Sequence, residues 1–102
     1  MNLIQQNQIA ISNLCKKFKV MEMYAFGSVL DESKFNDKSD IDLIVKFNTD
    51  VPIEKYADLY FDLAENLELL LKRKVDLMLQ KAISNKLLFE NIEETKKLVY
   101  EA

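Results

Sequence analysis

The chain has 102 residues, enough for one small hydrophobic core, and we therefore expect residues 1–102 to form a single domain. Hydrophobic residues make up 49% of the chain and charged residues 30%, which is typical of a soluble globular protein. The N-terminus lacks the basic and apolar regions of a secretory signal, and no apolar run approaches the roughly 20 residues that span a bilayer. The one cysteine, Cys15, cannot form an internal disulfide, which favours a cytoplasmic location.

The charge and the missing histidines exclude several kinds of chemistry. The net charge is −3, from 14 basic and 17 acidic residues, whereas nucleic-acid-binding proteins usually show a basic excess, so we do not expect a nucleic-acid partner. The chain has no histidine, which removes Ser–His and Cys–His nucleophile pairs and most zinc sites. Any catalysis must therefore use carboxylates, hydroxyls and amines.

Hydrophobic periodicity predicts alternating helices and strands along the whole chain. The predicted elements in chain order are helix 2–18, strand 20–26, helix 29–35, strand 41–47, helix 53–72, strand 74–79 and helix 84–100. The helix over 53–72 has the clearest pattern, because its apolar residues form one continuous face. Together these elements predict a small α/β (α+β) fold, with a three-stranded mixed sheet flanked by four helices.

A Gly-Ser pair follows the first predicted strand. Gly27 allows a sharp turn and a close approach of a ligand to the main chain, and Ser28 is placed to cap the next helix. A serine hydroxyl and free N–H groups at a helix start suit a phosphate. Taken alone, however, Gly-Ser is a common turn, and the structural explanation is the simpler one.

Three aspartates stand on the next two predicted strands. Asp40 and Asp42 flank Ile41, so the two carboxylates point to one side while Ile41 points to the core. Two nearby carboxylates repel each other unless a cation lies between them, and Mg²⁺ bound to nucleotide phosphates is such a cation. The alternative is a capped turn followed by a solvated strand residue. Asp76 lies in an apolar strand, where it could instead pair with a lysine or lie at a sheet edge.

The combination is more specific than its parts, and it carries a family resemblance. YAFGSVLDESKFNDKSDIDLIVKF resembles the polymerase β nucleotidyltransferase signature, which is Gly-Ser, a short helix and then Asp-x-Asp on the next strand. KVDLM resembles the strand that supplies a third carboxylate. The length is similar to that of the minimal nucleotidyltransferases, or MNT proteins, many of which are antitoxins paired with a HEPN-domain protein. The resemblance covers essentially the whole chain and implies the polymerase β-like fold.

The resemblance also implies roles for individual residues. Gly27 and Ser28 would hold the terminal phosphates of ATP, and Asp40 and Asp42 would bind Mg²⁺. Asp76 would complete a second metal site and help to deprotonate the incoming hydroxyl. The implied reaction transfers AMP from MgATP to a protein hydroxyl, with a tyrosine of a HEPN toxin as the expected acceptor.

Two other functions stay open at this point. The domain could act as a protein-binding antitoxin with weak or absent catalysis, or it could modify a small molecule or an RNA end. A homo-oligomer is also open. We expect Tyr56, Tyr60 and Phe61 to lie in the core or an interface, and Cys15 to be a buried small residue. The basic run at 72–74 is expected to be a solvated helix end.

Overall fold

Within the described residues, four strands form one mixed sheet. The computed structural model describes residues 3–27, 40–80 and 86–102. The helices are α1 (Leu3–Gln6), α2 (Gln8–Lys17), α3 (Tyr56–Leu71) and α4 (Lys86–Thr95), and the strands are β1 (Val20–Phe26), β2 (Ile41–Phe47), β3 (Val75–Leu79) and β4 (Lys97–Glu101). A 3-10 turn over Ile53–Lys55 precedes α3. None of the helices in these described ranges is long and apolar enough to cross a membrane.

The direction of the strands places three strand ends together. The sheet order is β3-β2-β1-β4. β1 is antiparallel to β2 and to β4, whereas β2 and β3 are parallel. Parallel neighbours need a crossover connection, and α3 provides it. As a result, the C-terminal end of β1 and the N-terminal ends of β2 and β3 lie at the same end of the sheet.

One face of the sheet forms the main core. Ala25, Leu43 and Leu77 are aligned across β1, β2 and β3, and all three are buried. α2 packs against β1 and β4, α3 packs against β3, and the two helices contact each other. This burial of apolar side chains between the helices and the sheet is the main driving force for folding.

The second face of the sheet is covered in part by α4. Tyr24 and Ile44 are register partners on this face, and Ile44 is buried outside the main core. Ile92 of α4 is buried in the same way. Lys96, which directly follows α4, places its Nζ 3.9 Å from the centroid of the Tyr24 ring. The residue that follows α4 therefore contacts the second face of the sheet.

α3 shows the expected division between a buried and an exposed side. Leu63, Leu67 and Leu71 lie four residues apart, face the core and are almost completely buried. Phe61 and Leu69 on the same helix are 67% and 70% exposed. The continuous apolar face predicted for this helix is confirmed, although Phe61 is not a core residue.

The two tyrosines of α3 have structural roles at the margin of the core. The ring of Tyr56 packs against Phe47 with a centroid distance of 5.4 Å. The hydroxyl of Tyr60 donates a hydrogen bond to the carbonyl of Leu77 on β3. These contacts tie the helix to both strands that it connects.

Cys15 is a buried structural residue, as predicted. Its side chain is fully buried on α2, and the thiol lies 4.0 Å from the Met23 sulfur. Burial raises the pKa of the Cys15 thiol to about 12, because a thiolate loses its hydration there. The thiol is therefore neutral at physiological pH and is not an activated nucleophile.

The prediction of one final helix over 84–100 is wrong at its C-terminal end. The helix ends at Thr95, and the next residues form β4, so the sheet has four strands in the described residues rather than three. Val99 and Tyr100 suit a strand as well as a helix. The pairing of Tyr100 with Met23 on β1 decides between them, and this long-range pairing is invisible in the local spacing.

Two further predictions concern the N-terminal half. The helix predicted over 2–18 is interrupted at Asn7, whose side-chain amide donates a 3.0 Å hydrogen bond to the carbonyl of Leu3. Asparagine side chains compete in this way with the regular helical hydrogen bonds. The short helix predicted over 29–35 lies outside the described residues.

Leu67→Ala and Leu69→Ala test the two sides of α3 with the same chemical change. Leu67 is fully buried, so its truncation should lower the free energy of unfolding by about 2–5 kcal/mol. Leu69 is 70% exposed, so its truncation should change that free energy by less than about 0.5 kcal/mol. Urea unfolding followed by circular dichroism measures both values. Similar losses in the two variants would contradict this orientation of α3.

Candidate functional site

Two of the predicted aspartates are direct neighbours on parallel strands. Asp42 and Asp76 are the second residues of β2 and β3, and they are partners in the register. Partners in register point to the same face of a sheet, and here it is the face opposite to α2 and α3. Ile41 is fully buried on the core side, as predicted. Asp40 lies immediately before β2 and is exposed.

Asp42 is under electrostatic strain in this arrangement. Partial burial raises the pKa of its carboxyl group, and the negative charges of Asp76 and Asp40 raise it further. A hydrogen bond with the Asp76 side chain acts in the same direction, because it favours the protonated form of Asp42. Within the described part of the chain, no basic group opposes these effects. The site is therefore one where a bound cation would relieve repulsion.

The three carboxylates are not arranged as a finished metal site. In the described ranges, no three acidic, thiol or imidazole side chains form a cluster that could hold a metal ion by itself. Asp42 interacts with both other aspartates, and it is the central member of the group. Mg²⁺ usually takes one or two carboxylates and completes its shell with substrate phosphates and water. The pair of Asp42 and Asp76 fits that requirement without a third protein ligand.

Gly27 makes room for the Asp42 carboxylate. Gly27 follows β1, and Phe26 before it is paired with Asp42. The glycine has a φ of +77°, and a Cβ atom at this position would lie 2.6 Å from Oδ2 of Asp42. Any side chain here would therefore be strained in its backbone and would collide with the carboxylate. Ser28, which was predicted to act with Gly27, lies outside the described residues.

The end of α3 is attached to the start of β3, one residue before Asp76. Lys72 ends the helix in a left-handed conformation and donates its N–H to the carbonyl of Glu68 at 2.8 Å. The carboxylate of Glu68 accepts a 2.9 Å hydrogen bond from the N–H of Val75. The N–H of Ile41 donates to the carbonyl of Lys74 at 2.9 Å, which aligns the starts of β2 and β3. These bonds hold the strand ends that carry Asp42 and Asp76.

A contact between Tyr24 and Lys96, which the sequence did not predict, lies on the same sheet face as Asp42. Tyr24 lies on the same sheet face as Asp42, because it is two residues from the register partner of Asp42. Lys96 packs over the Tyr24 ring and forms a 2.8 Å ion pair with Glu93. The hydroxyl of Tyr24 donates to Glu22 at 2.7 Å, and this bond is the main reason that the pKa of Tyr24 is raised to about 12. Lys96 had the appearance of an ordinary helix end, and no local pattern connects it with Tyr24.

A comparison with protein families identifies the family of the chain. The family model described as polymerase β nucleotidyltransferase matches residues 9–102. This chain belongs to the polymerase β nucleotidyltransferase family. The match includes Gly27, the three aspartates and all four strands.

Two curated relatives of this nucleotidyltransferase come from Methanocaldococcus jannaschii. One is 37% identical over 81 residues, which cover 79% of this chain and 78% of the relative. The other is 36% identical over 78 residues, covering 76% of this chain and 75% of the relative. Both are named as protein adenylyltransferases.

Solved structures share the fold of this nucleotidyltransferase. A toxin–antitoxin structure with AMP-PNP aligns with a TM-score of 0.70 and 22% identity, covering 94% of this chain and 74% of the other. A complex of a tri-AMPylated HEPN toxin with an MNT antitoxin from Shewanella oneidensis aligns with a TM-score of 0.65 and 22% identity, over 97% of this chain and 73% of the other. A structure named as a minimal nucleotidyltransferase gives 0.67 and 24%, with 95% of both chains covered. At these identities the likeness concerns the fold, which is that of the minimal nucleotidyltransferases.

Gly27→Ala tests the close approach to Asp42. The left-handed backbone alone should cost about 1–2 kcal/mol of unfolding free energy, and the collision with Asp42 Oδ2 should add to this loss. In an Asp42→Ala background the collision is absent, so the same substitution should cost less, with a coupling of about 0.5–3 kcal/mol. An Asp76→Ala background is the matched control and should leave the cost unchanged. Equal costs in all three backgrounds would show that Gly27 does not contact Asp42.

Asp42→Asn tests the raised pKa of Asp42 in a solution free of divalent cations. A carboxyl group with a raised pKa in the folded state contributes most stability below its ordinary value of 3.8, and that contribution is lost as the pH rises through the raised value. The variant cannot ionise at this position, so its melting temperature should exceed that of the wild type increasingly from about pH 3 towards neutrality. Thermal unfolding across this range measures the difference. Asp50→Asn, in the turn beyond the other end of β2, controls for the loss of one charge. A difference that is constant with pH would contradict the shift.

Proposed function

We propose that this protein transfers AMP from MgATP to a hydroxyl group of a protein acceptor. The observation that carries the proposal is the pairing of Asp42 with Asp76 on adjacent parallel strands, next to the close turn at Gly27. Two neighbouring carboxylates beside a glycine turn suit a metal–triphosphate complex. Membership of the nucleotidyltransferase family supports the same chemistry.

Each residue of the site has a proposed role. Asp40 and Asp42 hold Mg²⁺, and Asp76 completes a second metal position. Their oxygen-only ligands and the repulsion at Asp42 fit this ion. When bound, Mg²⁺ supplies positive charge that neutralises the carboxylates and the phosphate oxygens. Gly27 and Ser28 hold the terminal phosphates: Gly27 turns the main chain beside the Asp42 carboxylate, and Ser28 donates its hydroxyl to a phosphate.

The proposed reaction is an in-line displacement at the α-phosphorus of ATP. The acceptor oxygen forms a bond to the α-phosphorus, the bond to the β-phosphate oxygen breaks, and pyrophosphate leaves. Asp76 accepts the proton of the acceptor hydroxyl, and its exposure makes the carboxylate accessible to a second protein. The main contribution of the protein is to position the groups that react.

The relatives suggest the class of acceptor. Both archaeal relatives are named as protein adenylyltransferases, and a structure with the same fold contains an AMPylated HEPN toxin with an MNT antitoxin. We propose a cytoplasmic HEPN-domain protein as the partner of this chain and a tyrosine hydroxyl as the acceptor.

A second candidate function is neutralisation of a partner by binding alone. The observation that favours it is the exposure of Phe61 and Leu69 on α3, because such side chains often mark protein contacts. Asp42→Asn separates the two functions. It should abolish transfer, whereas a protein that acts only by binding would still neutralise its partner.

Binding of MgATP is measured by thermal unfolding of the wild type and of Asp42→Asn, with ATP alone and with ATP plus Mg²⁺. A ligand at ~100 times its dissociation constant stabilises the folded state by about 2.7 kcal/mol, which shifts the melting temperature of a domain this size by roughly 10–20 °C. We expect a Mg²⁺-dependent shift in the wild type that is lost in Asp42→Asn. Asp50→Asn is the matched control and should keep the shift. The proposal fails if millimolar MgATP stabilises none of these proteins and transfers no AMP to a co-purified HEPN-domain protein.

A further inference from the structure

The outward side of α3 combines exposed apolar and acidic residues. Phe61 and Leu69 are 67% and 70% exposed, and they are separated by about 12 Å along the helix, at a rise of about 1.5 Å per residue. Helical spacing places them on the side opposite to the buried leucines. We call this surface the outer face of α3, and its residues are Asp58, Phe61, Asp62, Glu65 and Leu69, all of which are exposed.

All charged residues on the outer face of α3 are acidic. The sequence of α3, YADLYFDLAENLELLL, contains no lysine or arginine. Asp58, Asp62 and Glu65 form no ion pair within the described part of the chain. Their i, i+4 and i, i+3 spacings place like charges next to each other, which destabilises an isolated helix. A partner with positive charges would remove this repulsion.

Both edges of the sheet are less suitable for a partner. On edge strand β4, the side-chain amide of Gln8 donates a 2.7 Å hydrogen bond to the carbonyl of Val99. On edge strand β3, the hydroxyl of Tyr60 donates to the carbonyl of Leu77. Side chains from α2 and α3 therefore already occupy edge carbonyls that an added strand would need. A helix face is the more accessible contact surface.

From these observations we propose that the outer face of α3 is the docking surface for a basic amphipathic helix of the acceptor protein. Apolar side chains of that helix pack on Phe61 and Leu69, and lysine or arginine side chains beside them pair with Asp58, Asp62 and Glu65. The inference rests on the proposed transfer to a protein. A second copy of this chain is a poor occupant, because its own outer face would bring acidic charges against acidic charges.

The position of α3 connects this surface to the candidate site. α3 runs from the far end of β2 back to the start of β3, so Leu69 lies near the end of the sheet that carries Asp76. The hydrogen bond between Glu68 and Val75 joins this end of the helix to the strand of Asp76. A partner helix on the outer face therefore reaches the same end of the sheet as Asp76, although the Asp76 side chain points to the opposite face.

The test uses a fluorescent helical peptide of about 18 residues, with leucines on one face and lysines on both flanks of that face. Its binding to the wild type is followed by fluorescence anisotropy without nucleotide. We expect saturable binding that weakens as salt is added. Two double variants should each weaken peptide binding at least about tenfold. One combines Phe61→Ser with Leu69→Ser, and the other combines Asp62→Lys with Glu65→Lys. Matched controls are Leu98→Ser and Asp50→Lys, which change an exposed leucine and an exposed acid elsewhere and should bind normally.

Several outcomes would overturn the proposal. These are no saturable binding, equal binding of a peptide with glutamate in place of lysine, or equal losses in the control variants. Sedimentation could also show that the wild type is a dimer and that the double variant Phe61→Ser with Leu69→Ser is a monomer. That result would assign the surface to a second copy of this chain instead. Circular dichroism of each variant shows whether it is folded.

The peptide assay is independent of the MgATP assay. If the peptide binds the outer face but MgATP neither stabilises the protein nor supports transfer of AMP, the proposed transfer is wrong, and the surface binds a basic helix of a partner that is not an acceptor. If MgATP stabilises the protein but the peptide does not bind, the transfer stands and the docking surface is wrong. Asp42→Asn should retain peptide binding, since Asp42 lies on the other face of the sheet.

Discussion

The parallel pairing of β2 with β3 determines where the candidate catalytic groups lie. Its register sets Asp42 beside Asp76 and buries Ile41 on the core side of the sheet. The antiparallel pairing of β2 with β1 then brings Gly27 against the Asp42 carboxylate. A shift of one residue in either pairing would move a carboxylate to the opposite face, into the core. The core on one face of the sheet therefore fixes the geometry on the other.

The crowded carboxylates of the site lower the stability of the free protein, and this loss of stability points to the function of the site. Burial and two neighbouring negative charges raise the pKa of Asp42, and within the described residues no basic group compensates. A stable core would not require this arrangement, since an apolar residue at the start of β2 would pack without repulsion. Charge repulsion of this kind is common where a protein must receive a cation or a cationic complex. In the proposed reaction, the metal–triphosphate complex neutralises the carboxylates and is positioned by the same contact.

α3 serves several parts of the molecule at once. Its buried side contributes leucines to the core and its two tyrosines contact the strands that it connects. Its C-terminal end holds the start of β3 through Glu68 and Val75. Its outer face keeps Phe61 and Leu69 in solvent beside acids that form no ion pair with the described residues. One crossover helix thereby links core packing, the position of Asp76 and the proposed contact with an acceptor.

The sequence by itself determined the elements whose local pattern is strong. β1 and β2 were predicted with their observed bounds, because β-branched and apolar runs there end at glycine or at polar residues. The aspartates and Gly27 were identified as candidates from their order along the chain, and the family comparison confirms the family that this order predicted. Tertiary structure alone decided the rest. β4 exists because Tyr100 pairs with Met23, and only the folded chain brings Lys96 over the ring of Tyr24. These are contacts between residues far apart in the chain, and local periodicity contains no information about which distant edge or ring a segment will meet.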